Sequence, residues 1–253
     1  MDDSRNVIDI ASVKVACQSC GLRQLCLPAG VSPQDMERLD DIIRRLRPIS
    51  RGGHVFRAGD PLSSIYAIRS GWVKTYALAE DGNEQVTGFH LAGELVGLDA
   101  IASGEHPCSA KALDTTSVCE IPFERLEDLS CEVPGLQRQL LRIMSQELTT
   151  DEELLMLLGK RSAEERLAAL LLSISGRLKQ RGYSAHEFRL PMSRNDIGNY
   201  LGLAVETVSR LFTRFQQQGL LSVENKLVTV ENLDALKFAA GSCSNRDAPS
   251  ARA

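Results

Sequence analysis

Three cysteines lie close together near the start of the 253-residue chain. Cys17, Cys20 and Cys26 have the spacing C-x2-C-x5-C, whereas the other four cysteines are scattered, at Cys108, Cys119, Cys131 and Cys243. Thiolates are soft ligands that suit zinc or iron–sulfur clusters, and thiols this close together are more often ligands than packing residues. The spacing alone does not separate a structural zinc site from an iron–sulfur site. Isolated cysteines are more often small buried hydrophobic residues.

The composition predicts a soluble, cytoplasmic protein. Hydrophobic residues make up 43% of the chain and charged residues 25%, which is typical of globular proteins. The first residues are acidic and lack the apolar core of a signal peptide. The longest uncharged apolar run, Leu167–Ser175, is far shorter than the roughly 20 residues that span a bilayer. We therefore expect reduced thiols and no membrane partner.

Charge is unevenly distributed along the chain. Residues 1–159 hold 15 basic and 24 acidic residues, whereas residues 160–241 hold 12 basic and 8 acidic residues. A basic C-terminal segment on an acidic body indicates that the C-terminal part meets a polyanion such as nucleic acid. The sequence has no recognisable phosphate loop, catalytic triad or carboxylate pair in context. An enzyme is therefore not favoured.

The first half of the chain predicts a helix followed by a small β domain. Apolar residues at helical spacing predict a helix over residues 33–47, with one stripe formed by Met36, Leu39, Ile42, Ile43 and Leu46. Strand-like segments then alternate with Gly-, Asp- and Asn-rich turns, at residues 54–57, 64–69, 72–78, 85–91, 110–114 and 117–122. Short strands at this spacing predict an antiparallel sandwich or roll.

A long helix is predicted from Pro134 to about Leu158, because proline suits a first helical turn and apolar residues recur at helical spacing. One stripe comprises Leu141, Met144, Leu148, Asp151, Leu155 and Leu158, and a second comprises Leu136, Leu140, Ile143, Leu154 and Leu157. The sustained spacing of the first stripe favours a heptad seam with a twin helix. The alternative packs one stripe on the roll and leaves the other partly exposed.

The C-terminal part has the pattern of a helix-turn-helix. A helix over residues 162–181 begins with Ser162 and Glu165 at capping-box spacing. Ser193 can cap a helix that runs to Leu201. A turn at Gly202 and a second helix, Val205–Gln217, complete the motif, with small Gly198 where the two helices cross and a shared core of Ile197, Leu201, Leu203, Val208 and Leu211. A generic helical hairpin is the alternative. The segment KLVTVENLD predicts one strand of a small wing.

Several stretches together resemble the bacterial fumarate and nitrate reduction (FNR) regulators of the cyclic-AMP receptor protein superfamily. They are CQSCGLRQLCLP at 17–28, YAIRSG at 66–71, TGFHLAGELVG at 87–97, SVCEIPFERL at 117–126 and IGNYLGLAVETVSRLFTRF at 197–215. The resemblance implies an α+β fold. Its parts are a cluster-binding segment (1–30), an antiparallel β-roll sensory domain like cyclic-nucleotide-binding jelly rolls (31–133), a dimerisation helix (134–160), a winged helix-turn-helix (161–241) and a disordered tail (242–253).

The resemblance also implies the site residues. The family holds one oxygen-labile [4Fe-4S] cluster per monomer through four cysteines, which match Cys17, Cys20, Cys26 and Cys119. Cyclic nucleotide is not expected as a ligand. Gly93 and Glu94 match the superfamily's nucleotide site, but Cys108 stands where that site has its phosphate-binding arginine. A neutral thiol supplies neither the charge nor the fork geometry that a phosphodiester needs.

For DNA, the matched motif is E-x-x-S-R, formed by Glu206, Ser209 and Arg210 on one face of the second helix. A surface ion pair between Glu206 and Arg210 is the alternative for that pair. Arg194 and Arg214 are predicted phosphate contacts. The resemblance implies a homodimer that binds palindromic DNA sites with TTGAT-like half-sites. It also implies that the protein interacts with RNA polymerase and mainly activates anaerobic-metabolism promoters. A zinc-binding or thiol-redox DNA-binding dimer without a cluster is the alternative.

Overall fold

A computed structural model describes residues 16–78 and 82–241 of the chain. It forms two compact units, one from the segments up to Ala77 and Phe89–Gln146, the other from Leu78–Gly88 and the chain from Glu147 onward. The predicted tail, with Cys243, lies outside the described residues. No helix of the described segments has the length and apolar character that crossing a membrane requires.

The β domain is a roll of two antiparallel four-stranded sheets, as the sequence predicts. One sheet has the order β1-β8-β3-β6 and the other β2-β7-β4-β5. The strands are β1 (Arg44–Arg45), β2 (His54–Phe56), β3 (Ser64–Ser70), β4 (Trp72–Leu78), β5 (Glu84–Leu91), β6 (Leu95–Val96), β7 (Ser109–Ala112) and β8 (Ser117–Pro122). All six predicted strands are present. The two-residue strands β1 and β6 were not predicted, because so short a run has no visible alternation.

Helix α1 (Met36–Ile42) is shorter than the sequence predicts. The prediction that it continues to Arg47 is wrong, because the chain becomes extended at Ile43 and forms the edge strand β1. There Arg44 and Arg45 pair with Glu120 and Cys119 of β8, so the backbone groups of β1 bond to the sheet instead of to a helix. Leu46, assigned to the apolar stripe, is 41% exposed.

The N-terminal leader (residues 16–30) packs into the core of the first unit. It consists of 3-10 turns at Cys17–Ser19, Arg23–Leu25 and Leu27–Gly30. Its buried residues share one hydrophobic cluster with α1, the roll, helix α2 (Phe123–Glu132) and the start of helix α3 (Pro134–Lys160). Gly30 and Gly135 approach so closely that a Cβ on Gly135 would lie 2.1 Å from the carbonyl oxygen of Gly30. The leader is thus fixed against the beginning of α3.

Helix α3 has one buried and one exposed apolar stripe. Leu136 is fully buried in the first unit, and Leu140, Ile143 and Met144 pack partly against the same core. At seven-residue intervals on the other side, the exposed fractions are 60% for Leu141, 66% for Leu148 and 71% for Leu155. A row of exposed leucines with heptad spacing is a surface typical of helix pairing.

The second unit contains the predicted helix-turn-helix. Helix α4 (Ala163–Gln180) begins with the predicted capping box of Ser162 and Glu165, and α5 (Arg194–Leu201) begins with a capping box of Ser193 and Asp196. Helix α6 (Val205–Gln217) follows. The wing is a three-stranded sheet in the order β10-β11-β9, with β9 (Glu187–Arg189), β10 (Leu221–Glu224) and β11 (Leu227–Val230), and the described chain closes with helix α7 (Leu233–Ala239).

Candidate functional site

Four cysteines line one cavity in the first unit. Cys17, Cys20 and Cys26 come from the leader and Cys119 comes from β8. Strand β8 lies between β1 and β3 and pairs Cys119 with Arg45 on one side and Ala67 on the other. The cavity encloses about 40 Å³, and the rest of its wall is mostly apolar, with Leu22, Leu27, Pro28, Ile43, Ala67, Ile68, Gly93, Ile121, Arg23 and Arg69.

Burial dominates the electrostatics of these thiols. It raises the pKa of Cys17 to about 12, with a further contribution from Asp40, and it raises the pKa of Cys26 to about 12. Burial also raises the pKa of Cys119, although Arg45 and Arg69 act in the opposite direction. Cys119 contributes to the raised pKa of both Cys17 and Cys26, because the three thiols lie near one another. At neutral pH the ligand-free thiols of Cys17, Cys26 and Cys119 are therefore protonated.

Four cysteine thiolates are a ligand set that both a [4Fe–4S] cluster and a structural zinc ion use. A tetrahedral zinc site brings four sulfurs to about 2.3 Å from one point. Within the described part of the chain, no three His, Cys, Asp or Glu side chains are arranged to hold one metal ion. A [4Fe–4S] cluster instead takes one thiolate at each of four irons, so its ligands stand further apart around a small cavity. The four thiols around this mostly apolar cavity could supply those four ligands.

Three polar residues around the cavity were not predicted as functional. Asp40 accepts a hydrogen bond from the backbone N–H of Cys17 at 3.2 Å and pairs with Arg45 at 2.6 Å. The buried Gln139 of α3 donates from its side-chain amide to the carbonyl oxygen of Cys26 at 3.3 Å. The Nε of Arg23 is buried. Only Gln139 has a sequence signal, since it is a polar residue on the helix face of Leu136 and Ile143.

The remaining described cysteines lie elsewhere. Cys131 is exposed, and Cys108 is buried with its Sγ 3.1 Å from a carboxylate oxygen of Asp99. In the superfamily's nucleotide site, Gly93 lies under the leader, where a Cβ would be 3.1 Å from the Cβ of Leu25. The carboxylate of Glu94 accepts a bond from the backbone N–H of Leu91.

The helix-turn-helix presents the predicted base-reading residues on an exposed face. In α6, Val208, Leu211, Phe212 and Phe215 are buried, whereas Glu206, Ser209 and Arg210 are exposed. The guanidinium of Arg210 donates to the backbone carbonyl of Glu206 at 3.3 Å, and these two described side chains form no ion pair. The alternative of a surface salt bridge therefore has no support. Thr213, not predicted, is also exposed, one turn beyond Ser209.

The two predicted phosphate contacts have partners within the second unit. The guanidinium carbon of Arg194 lies 3.2 Å from the centre of the Phe212 ring, and burial lowers the pKa of Arg194. Arg214 pairs with Glu164 at 3.0 Å, while its side chain stays 59% exposed. Neither arrangement tests DNA contact, so both assignments stay predictions.

Comparison with known proteins identifies the family. Residues 46–130 match the cyclic nucleotide-binding domain, and residues 190–221 match the bacterial regulatory proteins of the crp family. The Fumarate and nitrate reduction regulatory proteins of Salmonella typhimurium (strain LT2) and Escherichia coli (strain K12) are each 54% identical to this chain over 231 residues, which is 91% of this chain and 92% of theirs. The chain belongs to the fumarate and nitrate reduction (FNR) regulator family.

This FNR-family chain is a transcriptional regulator with a helix-turn-helix DNA-binding domain. Among solved structures, FixK2 from Bradyrhizobium japonicum is 32% identical, with a TM-score of 0.71, covering 78% of this chain and 97% of its own. A CRP/FNR-family transcriptional regulator from Thermus thermophilus, 20% identical with a TM-score of 0.62, covers 79% of this chain and 100% of its own. The latter likeness shows the fold alone.

Proposed function

We propose that this protein is an oxygen-responsive transcriptional regulator, active as a homodimer that holds one [4Fe-4S] cluster per monomer. The observation that carries the proposal is the meeting of Cys17, Cys20, Cys26 and Cys119 around one mostly apolar cavity. These thiols would each ligate one iron. When bound, the cluster supplies an oxygen-sensitive link between the leader and the roll.

The chain's own contacts connect this link to the dimerisation helix. Cys26 accepts the hydrogen bond of Gln139, and Gly30 packs directly on Gly135, so the leader touches the first turns of α3 at two points. Holding the leader in place therefore holds the start of α3 in one packing arrangement. Loss of the cluster would release the leader and weaken that packing arrangement.

The proposed dimer seam is centred on the exposed leucines of α3, with the half-buried Met144 and Leu158 at its edges. Leu141, Met144, Leu148, Leu155 and Leu158 would pack against a twin helix, with Asp151 facing its symmetry mate. Two carboxylates in a partly desolvated seam repel, which keeps dimerisation marginal. A modest change in packing at the start of α3 could then shift the balance between monomer and dimer, since a few kcal/mol suffice.

In the dimer, two α6 helices would read a twofold-symmetric operator with TTGAT-like half-sites. Arg210 can bond guanine with two hydrogen bonds, Glu206 can accept from cytosine, and Ser209 can contact base or phosphate. Arg194 and Arg214 would contact phosphates. The relatives' name indicates control of fumarate and nitrate reduction. We therefore propose that this cytoplasmic regulator, which has no enzymatic activity, works with RNA polymerase mainly to activate genes of anaerobic metabolism.

Cyclic nucleotide is not the proposed ligand. Cys108 stands at the position of the phosphate-binding arginine and has Asp99 beside it, so the local charge opposes an anion. Leu25 packs over Gly93, where the nucleotide would approach the backbone. The roll instead serves as the scaffold that supplies Cys119.

A cluster-free regulator is the second candidate, with zinc or a reversible disulfide at the cysteines. The absence of a single-ion arrangement among the described residues weighs against zinc. Burial weighs against a thiol switch, because a raised pKa at Cys17 and Cys26 lowers the thiolate fraction on which disulfide exchange depends.

Anaerobic purification separates the two candidates. We expect a brown protein with visible absorbance and about four irons and four acid-labile sulfides per chain. Its operator affinity should fall on exposure to air. A colourless protein with about one zinc per chain, or a metal-free protein whose operator binding follows thiol oxidation, would contradict the proposal.

A further inference from the structure

Arg23 brings a buried, unsatisfied donor to the cysteine cavity. It lies in the 3-10 turn Arg23–Leu25, between the ligand candidates Cys20 and Cys26, and its side chain forms part of the cavity wall. Its Nε is buried and has no hydrogen-bond partner among the described residues. An unpaired buried donor of this kind is destabilising, and more so when the group is charged. Such a donor indicates an acceptor that occupies the cavity.

The wall itself offers Arg23 no carboxylate. Apart from Arg23 and Arg69, the described residues of the wall are apolar side chains, glycine and the four cysteines. Guanidinium groups direct planar N–H donors and stay charged. The side-chain acceptors that this wall offers to Nε are the sulfur atoms of the four cysteines, to which a bound cluster would add its sulfides.

We propose that Arg23 donates its Nε–H to a sulfur atom at this site and raises the reduction potential of the bound cluster. The inference rests on the proposed function, because it requires an iron–sulfur cluster in the cavity. Hydrogen bonds to cluster sulfurs and nearby charge are two of the properties through which a protein sets the potential. Arg23 stabilises the more negative, reduced state because its N–H bond and its positive charge both favour added electron density.

The test compares Arg23→Met and Arg23→Lys with the parent protein and with Arg47→Met. Arg47 is exposed and does not line the cavity, so its variant controls for the loss of one positive charge. The full-length proteins are prepared anaerobically, their iron and sulfide contents are measured, and each potential is determined by redox titration. Resonance Raman spectra of the Fe–S modes provide a second readout. If Arg23 had only a structural role, a variant with full cluster content would have the same Fe–S modes as the parent protein.

At a fixed applied potential we expect Arg23→Met to lower the ratio of reduced to oxidised cluster about tenfold, which is 59 mV for a one-electron couple. Its Fe–S modes should shift. Arg23→Lys keeps the charge and should restore part of the potential, while Arg47→Met should match the parent. Should Arg23→Met fail to assemble a cluster, Arg23→Lys still decides, because loss of the planar Nε–H must lower its potential.

The role of Arg23 would be overturned if Arg23→Met had the same reduction potential and the same Fe–S modes as the parent protein. If only Arg23→Lys assembles a cluster, the same result in that variant would overturn it. In that case, the iron and sulfide found in the same samples would still support the proposed function. A parent protein without iron and sulfide would overturn both, and that result is visible before any variant is made.

Discussion

The guanidinium carbon of Arg194 lies 3.2 Å from the ring centre of Phe212, which joins the first residue of α5 to the buried face of α6. A cation over an aromatic ring contributes roughly 0.5–2 kcal/mol. Arg194 therefore has a packing role in addition to its predicted contact with phosphate. These two roles make different predictions for substitution.

We expect Arg194→Ala to lower the thermal stability of the second unit and to weaken binding to specific and scrambled DNA alike. Loss of a phosphate contact should reduce the slope of log affinity against log salt by about 1. Binding titrations at several salt concentrations and thermal melts give both quantities. Lys237→Ala, which removes an exposed charge from α7, is the control. An unchanged salt slope would limit Arg194 to packing.

Arg210→Ala should relax sequence discrimination at one base pair of each half-site. The predicted bidentate contact with guanine accounts for roughly 1–3 kcal/mol per half-site. Binding to an operator and to single-base variants of it measures this change. Arg214 lies on the same helix but pairs with Glu164. Arg214→Ala should lower the affinity for all DNA sequences by similar factors. Unaltered base preference in Arg210→Ala would show that α6 meets DNA in another orientation.

Single substitutions of the cysteines should fall into two classes. Cys17→Ala, Cys20→Ala, Cys26→Ala and Cys119→Ala should each lose the visible chromophore, because each removes one of four ligands. Cys108→Ala, Cys131→Ala and Cys243→Ala should retain it, because Cys108 bonds to Asp99, Cys131 is exposed, and neither lines the cavity. Iron content after anaerobic purification is the measurement. A full cluster in Cys119→Ala would refute its assignment as a ligand.

Gly198→Ala should destabilise the helix-turn-helix by roughly 1–3 kcal/mol, the usual cost of overpacking. A Cβ at this position would lie 2.6 Å from the backbone carbonyl oxygen of Leu203, which cannot move aside as a side chain could. Gly176→Ala provides the matched control, because nothing lies within 4 Å of its Cβ position. In the interior of α4 it should stabilise by about 1 kcal/mol. Denaturant titration of both variants tests the opposite signs.

Asp151→Ala should produce dimers of the cluster-free protein and aerobic operator binding. Sedimentation measures the dimer fraction, and Glu153→Ala, an exposed acidic residue off the leucine stripe, controls for loss of charge. A variant that remains as monomeric as its parent would remove Asp151 from the seam.

The same residue predicts a pH dependence. Partial burial raises the pKa of Asp151, so its ionised form is disfavoured, and a facing carboxylate in a dimer would raise the pKa further. Lowering the pH through this raised pKa protonates Asp151 and removes the repulsion. We therefore expect the cluster-free parent to dimerise more strongly as the pH falls. Asp151→Ala should lack this response in sedimentation experiments at several pH values.

Local patterns in the sequence determined much of the architecture. The capping box of Ser162, the cap at Ser193 and the turn at Gly202 depend on residues a few positions apart, so the helices of the second unit were predictable. The alternation of the six strands and the heptad spacing of the exposed leucines are local in the same sense. The spacing of Cys17, Cys20 and Cys26 indicated a metal-binding site, but it did not distinguish zinc from an iron–sulfur cluster.

Tertiary structure decided what depends on distant neighbours. Helix α1 ends at Ile42 because pairing with β8 competes with helix continuation, and the same pairing places Arg45 beside Cys119. The buried Nε of Arg23 depends on how the leader folds over the roll. No local pattern records such contacts, since they join segments that the sequence separates. The spacing of residues along the chain therefore indicated which side chains could bind iron or DNA, and long-range packing set their surroundings.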